Sequence, residues 1–247
     1  MAGTTVHGRL EWHAAKVVER RKETATASTI VLDVPGWPGH DAGQHVDVRL
    51  RASDGYTAVR TYSIASAPNG ERVELSIELM PDGEVSPYLV ETVAPGSPLE
   101  ILGPIGGWFV WKPAQTEPVQ LIGGGSGVVP LMSMIRTRNA SGSLAPFRLL
   151  YSVRSPDAIY YANELAHAVA GVGVTFAYTR AAPDNWSSKP ERIGAALVAS
   201  AAIPAADKPT CYVCGPTPFV EAVAGLLTDA GHEHSRIRTE RFGPTGS

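Results

Sequence analysis

The sequence predicts two domains in series, an antiparallel β-barrel or sandwich followed by an α/β unit built on a parallel sheet. Three observations carry that expectation. Up to about Trp111 the chain is a run of short β-rich or alternating stretches divided by Gly, Pro, Asn and Asp, the spacing of an all-β unit. After Glu117, apolar strand patterns alternate with helical ones, as in a β-α series that forms a parallel sheet with helices on both faces. Between them, residues 112–118 are rich in proline and polar side chains and read as a linker, so the boundary is drawn at 1–113 and 114–247. A chain of 247 residues is long enough for two cores of this size.

In the first unit, "HAAKVVERRKETATASTIVLDV", "GQHVDVRL", "VRTYSIAS" and "RVELSIEL" read as strands. One helix interrupts them. Within "DGEVSPYLVETVAPG", Ser86 stands as an N-cap, Pro87 takes the first helical position and Gly96 closes the segment. Such a helix start, preceded by Gly83, would turn free N–H groups toward an anion. In the second unit the strands are "PVQLIGG", "FRLLYSV", "GVTFAYT", "TCYVCG" and "RIRTERFG". The helices are "GVVPLMSMIRTRNA", "DAIYYANELAHAVA", "ERIGAALVASA" and "PFVEAVAGLLTDAG". No internal repeat or low-complexity tract is present.

Composition excludes several functions. A formal net charge of −3 argues against a nucleic-acid footprint, which needs a basic face. No run approaches the roughly 18 apolar residues of a membrane span, and residues 1–9 lack a secretory pattern, so a cytoplasmic protein is expected. The two cysteines, Cys211 and Cys214, form a CxxC motif inside a predicted strand. A separation of three on a strand sends their side chains to opposite faces, which disfavours a shared metal or a disulfide. Two cysteines also cannot hold an ordinary four-cysteine iron-sulfur cluster. The seven histidines are scattered, His232 and His234 read as a solvated turn, and no metal site is expected.

The most informative stretch is "LIGGGSGVVPLMSMIR", which runs out of a predicted strand into a predicted helix. No Gly-Lys-Ser/Thr follows its glycines, so it is not a triphosphate-binding loop. It fits a dinucleotide turn in position, but its spacing is Gly125-x-Gly127-x-x-Pro130, with proline where a third glycine usually permits close helix packing.

Five ordered motifs then coincide: "RTYS" (Arg60 to Ser63), "DGEVS" (Asp82 to Ser86), "GGGSGVVP", "CGP" (Cys214 to Pro216) and the terminal "ERFG" (Glu240 to Gly243). In this order they resemble the ferredoxin-NADP reductase family over nearly the whole chain. The resemblance implies an N-terminal antiparallel β-barrel that binds FAD and a C-terminal α/β parallel-sheet domain that binds a nicotinamide dinucleotide. Arg60 would pair with the FAD pyrophosphate through its guanidinium fork. Thr61 shares that strand, Tyr62 would stack on the isoalloxazine, and Ser63 would hydrogen-bond near its reactive nitrogen. Gly83, Val85 and Ser86 would offer donors to the pyrophosphate, and the strand Ser76 to Leu79 would run along the flavin and ribose.

For the second domain the resemblance implies that Gly124, Gly125, Ser126 and Gly127 receive the dinucleotide pyrophosphate. Thr179 and Arg180 would meet the 2′-phosphate of NADPH, with Arg154 or Arg192 as helpers. No acidic residue for a free 2′-hydroxyl precedes Asp184 at that strand end, so NADPH is favoured, with NADH possible. Cys214, Gly215 and Pro216 would lie beside the nicotinamide, where a small side chain permits close approach. Glu240 would be a polar partner at the flavin edge, and Phe242 would cover its face, although family members more often end on tyrosine. Ser63, Cys214 and Glu240 are thus the candidate catalytic residues. The implied activity passes electrons from NADPH through FAD to a separate protein such as a ferredoxin, a flavodoxin, a haem or a molybdenum enzyme. Two alternatives are a reductase of free flavin or another small acceptor, and a non-catalytic nucleotide-binding subunit or sensor.

Overall fold

A computed structural model describes residues 10–51, 54–167 and 171–243. The residues read for a secretory signal (1–9), the end of the helical stretch "DAIYYANELAHAVA" (168–170) and most of the tail (244–247) lie outside them. The first unit contains β1 (Trp12–Thr24), β2 (Ala27–Asp33), β3 (His45–Arg51), β4 (Thr57–Ser63), β5 (Arg72–Glu78) and β6 (Pro98–Ile105). Their sheet order is β4-β3-β6-β1-β2-β5, and every described pairing among them is antiparallel. The sheet bends back on itself. Ile64 bridges Leu75, and Ala65 N–H donates to Glu74 O at 2.8 Å, so the two outer strands meet and the barrel closes. Closure protects the edges that an open sheet would expose. Its interior is filled from alternate strand positions, among them Ile30, Leu32, Val46, Val48, Leu75, Ile77 and Ile101, with Leu89 added from the segment between β5 and β6.

The second unit contains β7 (Val119–Gly124), α1 (Val128–Ala140), β8 (Phe147–Val153), α2 (Ala162–Ala166), β9 (Val172–Tyr178), α3 (Ala195–Ala201), β10 (Thr210–Pro216), α4 (Thr217–Asp229) and β11 (Ile237–Phe242). The sheet is parallel, in the order β11-β10-β7-β8-β9. Strand order reverses between β7 and β10, and in open α/β sheets ligands bind in the crevice outside the strand ends at such a point. On one face α1 packs with Leu121, Tyr151 and Tyr212, and on the other α3 and α4 pack with Ile122, Leu150 and Val213. α1 is buried around most of its circumference, from Val128 to Arg138. Ser133 and Arg136 on this helix also reach the barrel. Ser133 Oγ donates to Ser66 O at 2.7 Å, and Arg136 Nη1 donates to Ala65 O at 3.0 Å.

Two local expectations differ from the fold. Ser86 does not cap a helix: its Oγ accepts from Met80 N–H at 2.9 Å, and the segment after it is one wide turn in which Val93 N–H reaches Tyr88 O at 2.8 Å. The helix expected across residues 157–170 is confined, within the described residues, to Ala162–Ala166. Tyr161 is the cause, because it is pinned at φ 57°, with its N–H on Glu23 Oε2 at 3.0 Å and its hydroxyl on Ser76 Oγ in the barrel. Just before the segment read as a linker, Trp111 is fully buried, bridges Ala42 and meets the Phe147 ring edge-on at 5.1 Å, while Lys112, Pro113 and Ala114 are exposed.

Candidate functional site

The glycine turn leaves β7 at Gly124 and enters α1 at Val128. Gly125 has φ +56°, with open space where a side chain would stand. Gly127 has an ordinary φ of −62°, yet a Cβ there would lie 2.1 Å from Cys214 O. Gly127 therefore performs the close helix-to-strand packing that the sequence reading left without a residue. Pro130 is buried in the first turn of α1, where a missing N–H costs nothing. Gly124 and Gly215 face the Phe219 ring, which a Cβ would meet at 2.8 Å and 2.6 Å.

A cleft of about 240 Å³ opens at this point, between the strand ends of the parallel sheet and the barrel. Among the predicted residues, Gly124, Gly125, Ser126, Thr179, Pro216 and Phe242 line it, together with Arg154. Arg180 lies just past the end of β9, exposed, with its N–H on Arg154 O at 2.9 Å. Arg192 is exposed farther along the chain. Two acidic residues are present that local sequence did not reveal. Glu78, at the end of β5, accepts from Ser126 Oγ at 2.8 Å across the cleft. Glu191 comes to the end of β9, where its N–H donates to Tyr178 O at 2.8 Å.

The "RTYS" strand divides its side chains between two faces, as the period of two requires. Arg60 and Tyr62 stand opposite Val48 and Val46, while Thr61 and Ser63 stand opposite Asp47 and His45. Burial pushes the Tyr62 phenol up to about 12, so it stays un-ionised. Thr61 Oγ1 donates to Asp47 Oδ1 at 2.5 Å. Arg60 Nη2 donates to Glu84 Oε2 at 2.7 Å, which brings the first half of "DGEVS" onto the same guanidinium. Gly83 is partly buried, with its N–H on Met80 O at 2.8 Å, while Val85 is wholly within the barrel core.

The three candidate catalytic residues converge through a fourth. His45 is the cross-strand partner of Ser63, its Nδ1 lies 3.6 Å from Glu240 Oε1, and Glu240 is the cross-strand partner of Cys214. Ser63, His45, Glu240 and Cys214 thus lie along one line from the barrel to the parallel sheet, its outer steps set by strand register and its middle step by the His45–Glu240 side-chain contact. Glu240 Oε2 is buried and has no hydrogen-bond partner among the described residues, and the same is true of the Tyr160 hydroxyl at the cleft wall. Buried polar atoms are ordinarily satisfied, so both mark positions suited to a polar ligand. Phe242, 37% exposed, and Pro216 stand at this rim as register partners.

Cys211 and Cys214 point to opposite faces of β10, one into each core layer. Burial pushes the Cys211 thiol up to about 12, and burial with the Glu240 charge raises Cys214 well above the ordinary thiol range. Both buried thiols are thus held protonated at neutral pH, which disfavours a nucleophilic role and fits Cys214 as a small, compact neighbour. His232 is buried rather than solvated, with Nδ1 3.6 Å from Cys211 Sγ. We expect a disulfide thiol reagent at pH 8 to titrate no cysteine in the native protein and both after denaturation. Rapid native labelling would contradict this burial.

A closed antiparallel barrel joined to a parallel sheet, with a glycine turn at the sheet's switch point, is the architecture of a two-domain dinucleotide-binding protein. Residues 15–110 match the oxidoreductase FAD-binding domain and residues 121–225 the oxidoreductase NAD-binding domain. The chain belongs to the ferredoxin-NADP reductase family of FAD- and NAD(P)-binding oxidoreductases. It is similar to the glycine betaine monooxygenase reductase subunit of Chromohalobacter salexigens, at 29% identity over 98% of this chain and 66% of that protein. It is also similar to the ferredoxin--NAD(P)(+) reductase component of the naphthalene 1,2-dioxygenase/salicylate 5-hydroxylase systems of Ralstonia sp, at 32% identity over 83% of this chain and 61% of that protein. The chain therefore spans just under two thirds of the length of these curated relatives. Among solved structures, an Amycolatopsis cytochrome P450 reductase superposes with TM-score 0.81 at 25% identity, covering 98% of this chain and 74% of that one. The FAD/NAD-binding domain of nitric oxide dioxygenase from Vibrio cholerae O1 biovar El Tor gives TM-score 0.81 at 25% identity, covering 94% and 99%. Among the described residues, no helix is long and apolar enough to cross a membrane.

Proposed function

We propose that this chain is an FAD-dependent NAD(P)H reductase that passes electrons from NADPH to a separate redox protein. The observation that carries the reading is the Ser63–His45–Glu240–Cys214 line, because it brings candidate residues of both domains to one place. FAD, when bound, supplies the chemistry that accepts two electrons together and releases them singly.

The chain's own residues do the rest. The reading takes 1–113 as the flavin half and 114–247 as the nicotinamide half. Arg60 holds the flavin pyrophosphate, Tyr62 supports the ring system and Ser63 orients it by a hydrogen bond. Gly83, Val85 and Ser86 border the same ligand through backbone and hydroxyl groups. Gly124 to Gly127 admit the second dinucleotide, since Gly125 leaves its approach open. Thr179 and Arg180 meet its 2′-phosphate. Cys214, Gly215 and Pro216 keep the space beside the nicotinamide small, and Glu240 holds its buried oxygen toward the ligands while His45 links it to Ser63. Phe242 would cover the flavin face that the nicotinamide must reach.

The names of the relatives, reductase components of oxygenase systems, favour an oxygenase or ferredoxin as the acceptor. On this reading the protein works in the cytoplasm, where it draws on an NADPH pool. The test is turnover with an artificial one-electron acceptor: FAD-reconstituted protein should reduce ferricyanide at the expense of NADPH. Absence of turnover with flavin bound would favour a nucleotide-binding subunit without activity.

A further inference from the structure

The cations around the flavin half already hold carboxylates of their own. Arg49 is tied to Glu100 by two bonds of 2.9 Å, and Arg60 is tied to Glu84 by one of 2.7 Å. Glu84 is held from a second side, because the Tyr56 hydroxyl donates to its Oε1 at 2.7 Å. These two hydrogen bonds, Tyr56 first and Arg60 second, keep the Glu84 carboxyl below its ordinary range. Glu84 is therefore ionised at neutral pH. It also lines a groove of about 630 Å³ with Tyr56, Tyr88, Leu50 and Ala58, so the carboxylate that holds Arg60 borders open space large enough for part of a ligand.

We propose that Glu84 sets how firmly FAD is retained, by competing with the flavin pyrophosphate for the Arg60 guanidinium. The proposal rests on the reading of Arg60 as the pyrophosphate ligand. Its physical basis is that a guanidinium fork satisfied by an internal carboxylate must give up that partner before it can take another. Both side chains are about half exposed, at 50% and 47%, so the pair is of the kind that is worth little and exchanges readily. Glu84 therefore lowers affinity for the flavin without blocking the site. The carboxylate would be a built-in occupant of the phosphate position, and FAD would be held loosely enough to exchange with the free pool.

The experiment follows flavin fluorescence on dilution of the FAD-reconstituted full chain, for the wild type, Glu84→Gln, Arg60→Ala and the double variant. Expected results are a dissociation constant about three- to tenfold lower for Glu84→Gln and at least tenfold higher for Arg60→Ala, in line with exposed ion pairs and charge-assisted hydrogen bonds. In the Arg60→Ala background, Glu84→Gln should change the constant by less than about twofold, as coupling through a shared partner requires. Tightening of equal size in both backgrounds would overturn competition in favour of plain charge repulsion. Unchanged or weakened binding in Glu84→Gln, with Arg60→Ala still weaker, would overturn the proposal and leave the pyrophosphate reading intact. An Arg60→Ala variant that binds FAD like the wild type would instead overturn the pyrophosphate reading, and the competition with it. Thermal unfolding of each variant, monitored by circular dichroism, confirms that the comparison is between folded proteins.

Discussion

Gly127→Ala should unfold at a markedly lower temperature than the wild type and bind nicotinamide dinucleotide poorly. The added methyl group would lie 2.1 Å from Cys214 O and 2.5 Å from its carbonyl carbon, both backbone atoms of a central strand. No side chain can rotate away, so the start of α1 must move off β10. Overpacking of this kind costs about 1–3 kcal/mol or more. For a chain of this size each kcal/mol is about 2–4 °C, so a fall of roughly 2–12 °C is expected. The shift of α1 also carries Gly125 and Ser126 away from the cleft. Gly125→Ala is the informative control, because that site is open but has φ +56°, which costs an alanine only about 1–2 kcal/mol of backbone strain. Gly127→Ala should be the more damaging of the two despite its ordinary backbone. Thermal denaturation of both variants checks this, and a Gly127→Ala midpoint within 1 °C of wild type, an illustrative threshold set against the scale above, would contradict the close approach.

Arg180→Ala should raise KM for NADPH by about 10- to 100-fold while changing KM for NADH little. The range follows from the 1.5–3 kcal/mol of a hydrogen bond to a charged group. Arg180 lies exposed past the end of β9, next to Thr179 at the cleft, and its backbone is fixed on Arg154 O. The presence of Glu191 at the same strand end gives the comparison its force, since an acidic residue there could serve a free 2′-hydroxyl instead. Equal effects on the two nucleotides would remove the basis for favouring NADPH. A larger effect on NADH would reverse it.

The parts of the fold that could be read from sequence are those set by short-range periodicity. The strands around "GQHVDVRL" and "TCYVCG", the helix after the glycine turn and the opposite facing of Cys211 and Cys214 all follow from side-chain periods of 2 or 3.6. Tyr161 could not be read this way. Its helix-breaking conformation is imposed by Glu23 and Ser76, which lie far away in the chain. Ser86 has the chemistry of a cap, but Met80 N–H takes its hydroxyl.

Legibility of the candidate site follows the same division. Its glycines and the "RTYS" and "CGP" segments are local motifs. His45, Glu78 and Glu84 matter because of partners 195, 48 and 24 positions away, and no local pattern distinguishes them from strand or loop residues. Even the role of Gly127 became specific only once β10, about ninety residues onward, was seen against it.

The measurement that bears most directly on the proposed function is the visible spectrum of the FAD-reconstituted protein, recorded anaerobically before and after NADPH and, separately, NADH. The account predicts flavin absorption bands that bleach with both nucleotides and faster with NADPH. A protein that remains colourless after incubation with FAD, or whose bound flavin stays oxidised in the presence of either nucleotide, would contradict it.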